Sequence, residues 1–460
     1  TTFTGAVSNM GDGTGAAITL ASTGLVTFSS TVGGASGIVS SNAGGSTRFN
    51  DNVTLTNGDT GSSFAGTVTL DGLNWSGFDG LTVTGAATLS TGAVSINSNA
   101  GNILFSSTLN GGNQDLTIAA GTAAGTTTFT GAVSNMGDGT GAAITLASTG
   151  LVTFSSTVGG ASGIVSSNAG GSTRFNDNVT LTNGDTGSSF VGAIALDGLT
   201  WSGFDGFTTT AATGIMTVLS ASTINSNNGD ITLNGPVSGV GQNLSLVAGT
   251  GTVALTSTAS LADLSISADE INLTGGNDSI TATGAVLLEG GSAATTIGVG
   301  GGAGTLDISD ADLAAIADGA TSITIGQAAQ TGLITVDSSS FQDPVVIRSS
   351  GTGGEVQVDG AIISSNPGTS VTLQGATLDL NAGIDTAGGD VILTAGVGGF
   401  DLAAAQTINT AAAANSGVNS GAITISATGA GTINIVGDLL TTGASNTTGA
   451  GSAGGGISIS

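Results

Sequence analysis

Residues 1–64 and 127–190 are identical letter for letter, so one 64-residue segment recurs at an offset of 126. A closed globular core has a fixed set of packing partners and no room for a second copy of its own wall. A chain that carries such a copy is built from units that contact mainly their sequential neighbours. Smaller recurrences point the same way. Phe3, Phe28, Phe49 and Phe105 each precede a branched residue by four positions, in FTGAV, FSSTV, FNDNV and FSSTL, and Leu233 does so in LNGPV. Positions four apart share one face of a strand, which predicts short strands with an apolar inner side. A second element, V/I-S/N-S-N-x-G, occurs at 39–44, 96–101, 165–170, 224–229 and 363–368. Asn tolerates left-handed backbone and Gly adopts it freely, so these are corners between strands. Successive phenylalanines lie 25 (Phe3 to Phe28), 21 (Phe28 to Phe49) and 24 (Phe105 to Phe129) residues apart. A unit in the low to mid twenties, holding two or three short strands, buries its apolar face only by stacking on its neighbours. The expected fold is all-β, a parallel β-solenoid in which the copy adds whole coils. Some 18 turns at the spacing of hydrogen-bonded strands would make a rod on the order of 90 Å long.

Composition excludes several functions. The 460 residues include 82 Gly, only 3 Pro and 7% charged residues, yet the mean hydropathy is +0.39, enough to bury a core. The net charge is −27, with no His and three basic residues, all arginine: Arg48, Arg174 and Arg348. Such a chain repels phosphate backbones, which argues against nucleic-acid partners. It has no Cys for disulfides or thiolate metal sites, no Lys for Schiff-base or isopeptide chemistry, and no apolar run long enough for a membrane span. The sequence starts inside a repeat and stops in GGGISIS, and it reads as a piece of something longer. Uncapped tips predict association with other copies, end to end or side by side.

The organisation expected is copy one at 1–126, copy two at 127–254 and divergent coils of the same solenoid at 255–460. ISDADLAAIADGA breaks the strand pattern. Ser309 and Asp312 form a capping box, apolar residues follow at helical spacing and Gly319 is a terminator, so one short helix is expected near 310–317.

Candidate sites are few. LDGLNWSGFDG (70–80) and LDGLTWSGFDG (196–206) place Trp, Phe and two Asp within eleven residues. If exposed, Trp75 with Asp79 and Trp201 with Asp205 would stack on a glycan and bind its hydroxyls; if buried, the rings fill space. GGNDSITATG (275–284) has the flavour of a calcium-binding nonapeptide, but such sites lie between consecutive repeats and only one match occurs, so a turn is the simpler reading. No dedicated metal site or cofactor is expected, only dispersed weak binding of divalent cations to an acidic surface. Polysaccharide lyase or hydrolase chemistry is the enzymatic alternative. It needs a basic side chain beside carboxylates, and three arginines are a poor supply, so the chain reads as a non-enzyme. Threonines do not hold a constant motif from coil to coil, against a regular ice-binding array; β-propensity accounts for them.

The run of GDITL, GAITI and GTINIVG units, and above all LDISDADLAAIADGATSITIGQAAQTGLITV (306–336), resembles the central repeat region of filamentous-haemagglutinin-like exoproteins of Gram-negative bacteria. The resemblance implies a right-handed parallel β-helix. It also implies an extracellular or cell-surface location, and roles in adhesion, filament formation, aggregation and biofilm, with glycans or a neighbouring cell surface as partners.

Overall fold

The computed structural model describes all residues except 57–59, 78, 121–124, 183–184, 211–213, 415, 417 and 444–450. The chain is an all-β parallel β-solenoid that divides into two compact units, Thr1–Ser238 and Gly239–Ser460. The boundary expected at 254/255 falls inside a strand, Leu244–Leu255.

In unit 1 each coil has three short strands, one per face, and every strand pairs in parallel with its counterpart in the next coil. The first face begins Thr2–Phe3, Leu25–Phe28, Ser46–Phe49, Thr67–Asp71. The second begins Val7–Met10, Val32–Gly34, Val53–Leu55, Asn74–Ser76. The third begins Ile18–Leu20, Ile38–Ser40, Ser62–Phe64, Leu81–Val83. The Phe-x-x-x-Val spacing therefore does not lie on one strand, as the periodicity implied. Phe28 ends a strand of the first face and Val32 opens one of the second, with a three-residue corner between them. Both side chains are buried because the corner turns the chain around the core rather than along it. The Asn-Gly corners work in two ways. Asn99 and Asn227 take the left-handed backbone (φ 57° and 49°), whereas Asn42 and Asn168 accept the N–H of Gly44 and Gly170 on their side chains.

The phenylalanines form the expected ladders. Phe28 and Phe49, and Phe105, Phe129, Phe154 and Phe175, stack nearly coplanar with centroids 4.8–5.3 Å apart. That is about the spacing of hydrogen-bonded strands, so the backbone lattice imposes a face-to-face arrangement that free rings disfavour. Phe3 stacks on Phe28 at 5.0 Å, but its other side is uncovered and it is 39% exposed.

The two rows do not lie on the same face. The strand Thr127–Phe129 is the copy of Thr2–Phe3, but it pairs with Ile103–Phe105 and continues the third face, not the first. From one to the other the chain advances seventeen strands, one short of six coils. The expectation that the copy adds whole coils is thus corrected: each copied strand is set back by one face. The copy is accommodated because a strand's stacking partners lie one coil away and so travel with it.

Unit 2 keeps the same stacking with longer strands that run round a corner, such as Leu264–Leu273, Val371–Leu380 and Val391–Leu402. The helix Asp310–Ala315 has its capping box: Asp312 N–H bonds the Ser309 hydroxyl, and Ser309 N–H bonds Asp312 Oδ2. It ends before Gly319, because Ile316 is extended (φ −81°, ψ 115°) and bridges to Ile280, drawing the chain back into the third face.

Candidate functional site

Trp75 and Trp201 are 2% and 1% exposed. Trp75 sits at the centre of the coil with Phe49 and Phe64, centroids 5.3 and 6.0 Å away and planes nearly perpendicular. Trp201 repeats this with Phe175 and Phe190 at 5.1 and 5.8 Å. Neither ring can stack on a sugar, so the expected glycan platform is corrected to a core element: a third large side chain closes the triangle where three faces converge. Asp79 and Asp205 are exposed in turns with φ near 60°, separated from the rings by the wall of the coil. Phe78 of the same motif lies outside the described residues; Phe204 is half-buried.

The arginines of the two copies are each held by an aspartate one coil away. Arg48 meets Asp71 at 2.5 Å and also Asn50, and Arg174 meets Asp197 at 2.6 Å and also Asn176. Ser220 and Arg174 hold the Asp197 carboxyl below the usual range. The two pairs lie on different faces and form no common site. Arg348 donates to the Gly326 carbonyl, and Gly326 is the bare position between it and Glu289 on the outer row of the unit 2 strands Ala285–Glu289, Ser322–Ile325 and Val345–Ser349. Burial pushes the Glu289 carboxyl up and the nearby Arg348 partly offsets this.

The nonapeptide-like segment forms a turn. Asp278 takes φ 54°, donates its N–H to the Ala314 carbonyl and leads into the strand Ile280–Ala282. Among the described residues no group of three or more carboxylates is placed to hold a metal ion, and no helix is long and apolar enough to cross a membrane.

Among the described residues there is also a concavity that sequence reasoning missed. A cleft of about 510 Å³ lies in unit 2 between the helix and the third face. Leu313, Ala314 and Ile316 form one wall, and Ser340, Phe341 and Ile363 the other. Ile363 is 48% exposed, an apolar side chain on the outer side of a strand. The only sequence signal was the helix itself, the single interruption of the strand pattern. The cleft offers apolar surface, hydroxyls, backbone groups and the Asp310 carboxylate, the chemistry of a binding groove. Compared with known proteins, the chain matches no family model, no curated protein and no solved structure.

Proposed function

We propose that this chain is a non-enzymatic, extracellular structural and adhesive stretch of a large bacterial surface or filament protein. The observation that carries the reading is the face-shifted copy. The protein gains length by repeating strands with their stacking partners, and identical surface corners then appear on more than one side of the same unit. That suits a stalk or filament making many weak contacts better than a catalyst with one site. The engagement of all three arginines in contacts within the chain is consistent with it, since none is left beside paired carboxylates. Its partners in this reading are other copies of the chain, and glycans or a neighbouring cell surface met through exposed corners.

The test is adhesion under flow. Beads coated with the full chain should aggregate or settle on bacterial or epithelial layers more than beads coated with an unrelated protein of equal net charge. Equal retention of both bead types, or turnover of acidic polysaccharides by the soluble chain, would sink the reading.

A further inference from the structure

The stacking of unit 2 is broken at one place. Its third face runs through Ala259–Leu261 and Ile280–Ala282 to the bridge at Ile316, then stops. It resumes at Ser339–Phe341, whose strand partner is Ile362–Ser364 on the far side. The other two faces show why. On the first, Ala285–Glu289 and Ser322–Ile325 pair directly. On the second, Ile297–Val299 is wedged between Leu306–Ile308 and Leu333–Val336. An extra strand spreads two coils by about 4.8 Å on the side where it lies. The third face has no strand to fill that spread, and the cleft is the resulting opening.

Both rims of the opening carry backbone groups. Ser339 N–H donates to the Ala361 carbonyl and Ser365 N–H to the Phe341 carbonyl. Residues of a parallel strand alternate in the side they bond, so the N–H and C=O of Ser340 turn toward the cleft. Opposite, Ala317 N–H donates to Ile280 and Ile316 N–H to Leu313, which leaves the Ile316 carbonyl directed the same way. The open strand edge at Ser340, beside the apolar Ala314 and Ile363, forms a template for an extended chain.

We infer that this opening binds an extended peptide strand from another polypeptide. The guest strand bonds to the exposed Ser340, packs an apolar side chain against Ala314 and the half-exposed Ile363, and carries basic residues at its ends. The charge requirement comes from Asp310 and the exposed Asp318, which stand before and after the helix wall. It also argues against a second copy of this chain as the guest: there is no Lys, two of the three Arg are in ion pairs, and Arg348 bonds Gly326.

The experiment titrates a fluorescent synthetic peptide of alternating valine and threonine, with lysine at each end, onto the full chain and reads anisotropy. Saturable binding is expected. It should weaken at least about tenfold in Ser340→Pro, which removes the rim N–H, and similarly in Ala314→Phe, which fills the cleft from the helix side. A peptide with glutamate in place of lysine should bind more weakly. Circular dichroism checks each variant, and if Ser340→Pro does not fold, Ala314→Phe carries the test. No saturable binding, or equal binding to a folded Ala314→Phe variant, would overturn the proposal. So would self-association of the chain that Ala314→Phe abolishes, because the guest would then be a second copy.

Discussion

Trp75 and Trp201 fill the same place in the same aromatic trio, but Trp75 lies on the second face of unit 1 and Trp201 on the first. Their partners rotate with them: Phe49 and Phe64 come from the first and third faces, Phe175 and Phe190 from the third and second. The core is therefore built from relations between consecutive strands and is indifferent to which side of the coil they occupy.

Removing residues 65–190 should accordingly leave a folded protein. The deletion joins Phe64 to Val191, and because Phe190 ends the identical segment, each strand after the junction meets the strand sequences it meets now. Cooperative urea unfolding with a proportionately smaller m-value is expected. The product has the sequence of residues 127–460, so a molten or aggregated product would show that the second copy does not fold without the coils that precede it.

The two copied arginines should differ in worth. Arg48 and Arg174 are both 41% exposed, but Asp71 is 5% exposed with Oδ1 unpartnered, whereas Asp197 is 29% exposed and also bonds Ser220. Arg48→Ala strands a buried carboxylate and should cost about 1–2 kcal/mol, reduced from a fully buried pair by the exposure of the arginine. Arg174→Ala should cost less than about 1 kcal/mol. The carboxyl of Asp197 is held below its ordinary value of 3.8, so its contribution is present above that pH and is lost as pH falls through the depressed value. Denaturant titrations at neutral and acid pH measure both effects.

Asp343 behaves in the opposite sense. It is 4% exposed, with Oδ1 accepting the Gly319 N–H at 2.9 Å and Oδ2 unpartnered. Burial, with a smaller contribution from Asp318, pushes its carboxyl above the ordinary 3.8 against the lowering effect of the Gly319 and Ala320 N–H groups. The folded protein thus holds this proton more tightly than the unfolded chain, and the stability it confers is lost as pH rises from 3.8 through the raised value. Asp343→Asn keeps the acceptor without the charge. The Tm difference between variant and parent should grow in the variant's favour between acid and neutral pH; a difference independent of pH would contradict the account.

Gly302 lets the chain turn back from Ile297–Val299 to Leu306–Ile308. A Cβ there would overlap the Thr335 carbonyl oxygen, and the Gly302 N–H closes the turn onto Val299. Gly302→Ala should displace the wedged strand, costing about 1–3 kcal/mol as an overpacking change. Hydrogen exchange should speed up at 297–308 first, and a change confined to distant coils would speak against this role of the turn.

The parallel solenoid, its low-twenties coil, the Phe ladders and the capped helix were legible in the sequence because each depends on residues within one coil of one another. Phe28 predicts Phe49, Asn42 predicts its corner, and Ser309 with Asp312 predicts the helix start. The sequence did not disclose that Trp75 faces inward, since a Trp beside Asp and Gly reads equally well as a surface loop until the other two faces are placed around it. Nor did it disclose the face shift or the opening between Ile316 and Ser340. Both depend on counting strands around a closed coil: seventeen instead of eighteen turns the copy by one face, and one additional strand, Ile297–Val299, parts two coils. Periodicity along the chain records the length of a strand and its corner, whereas the phase of a coil is a sum over all of them, and only the folded stack fixes that sum.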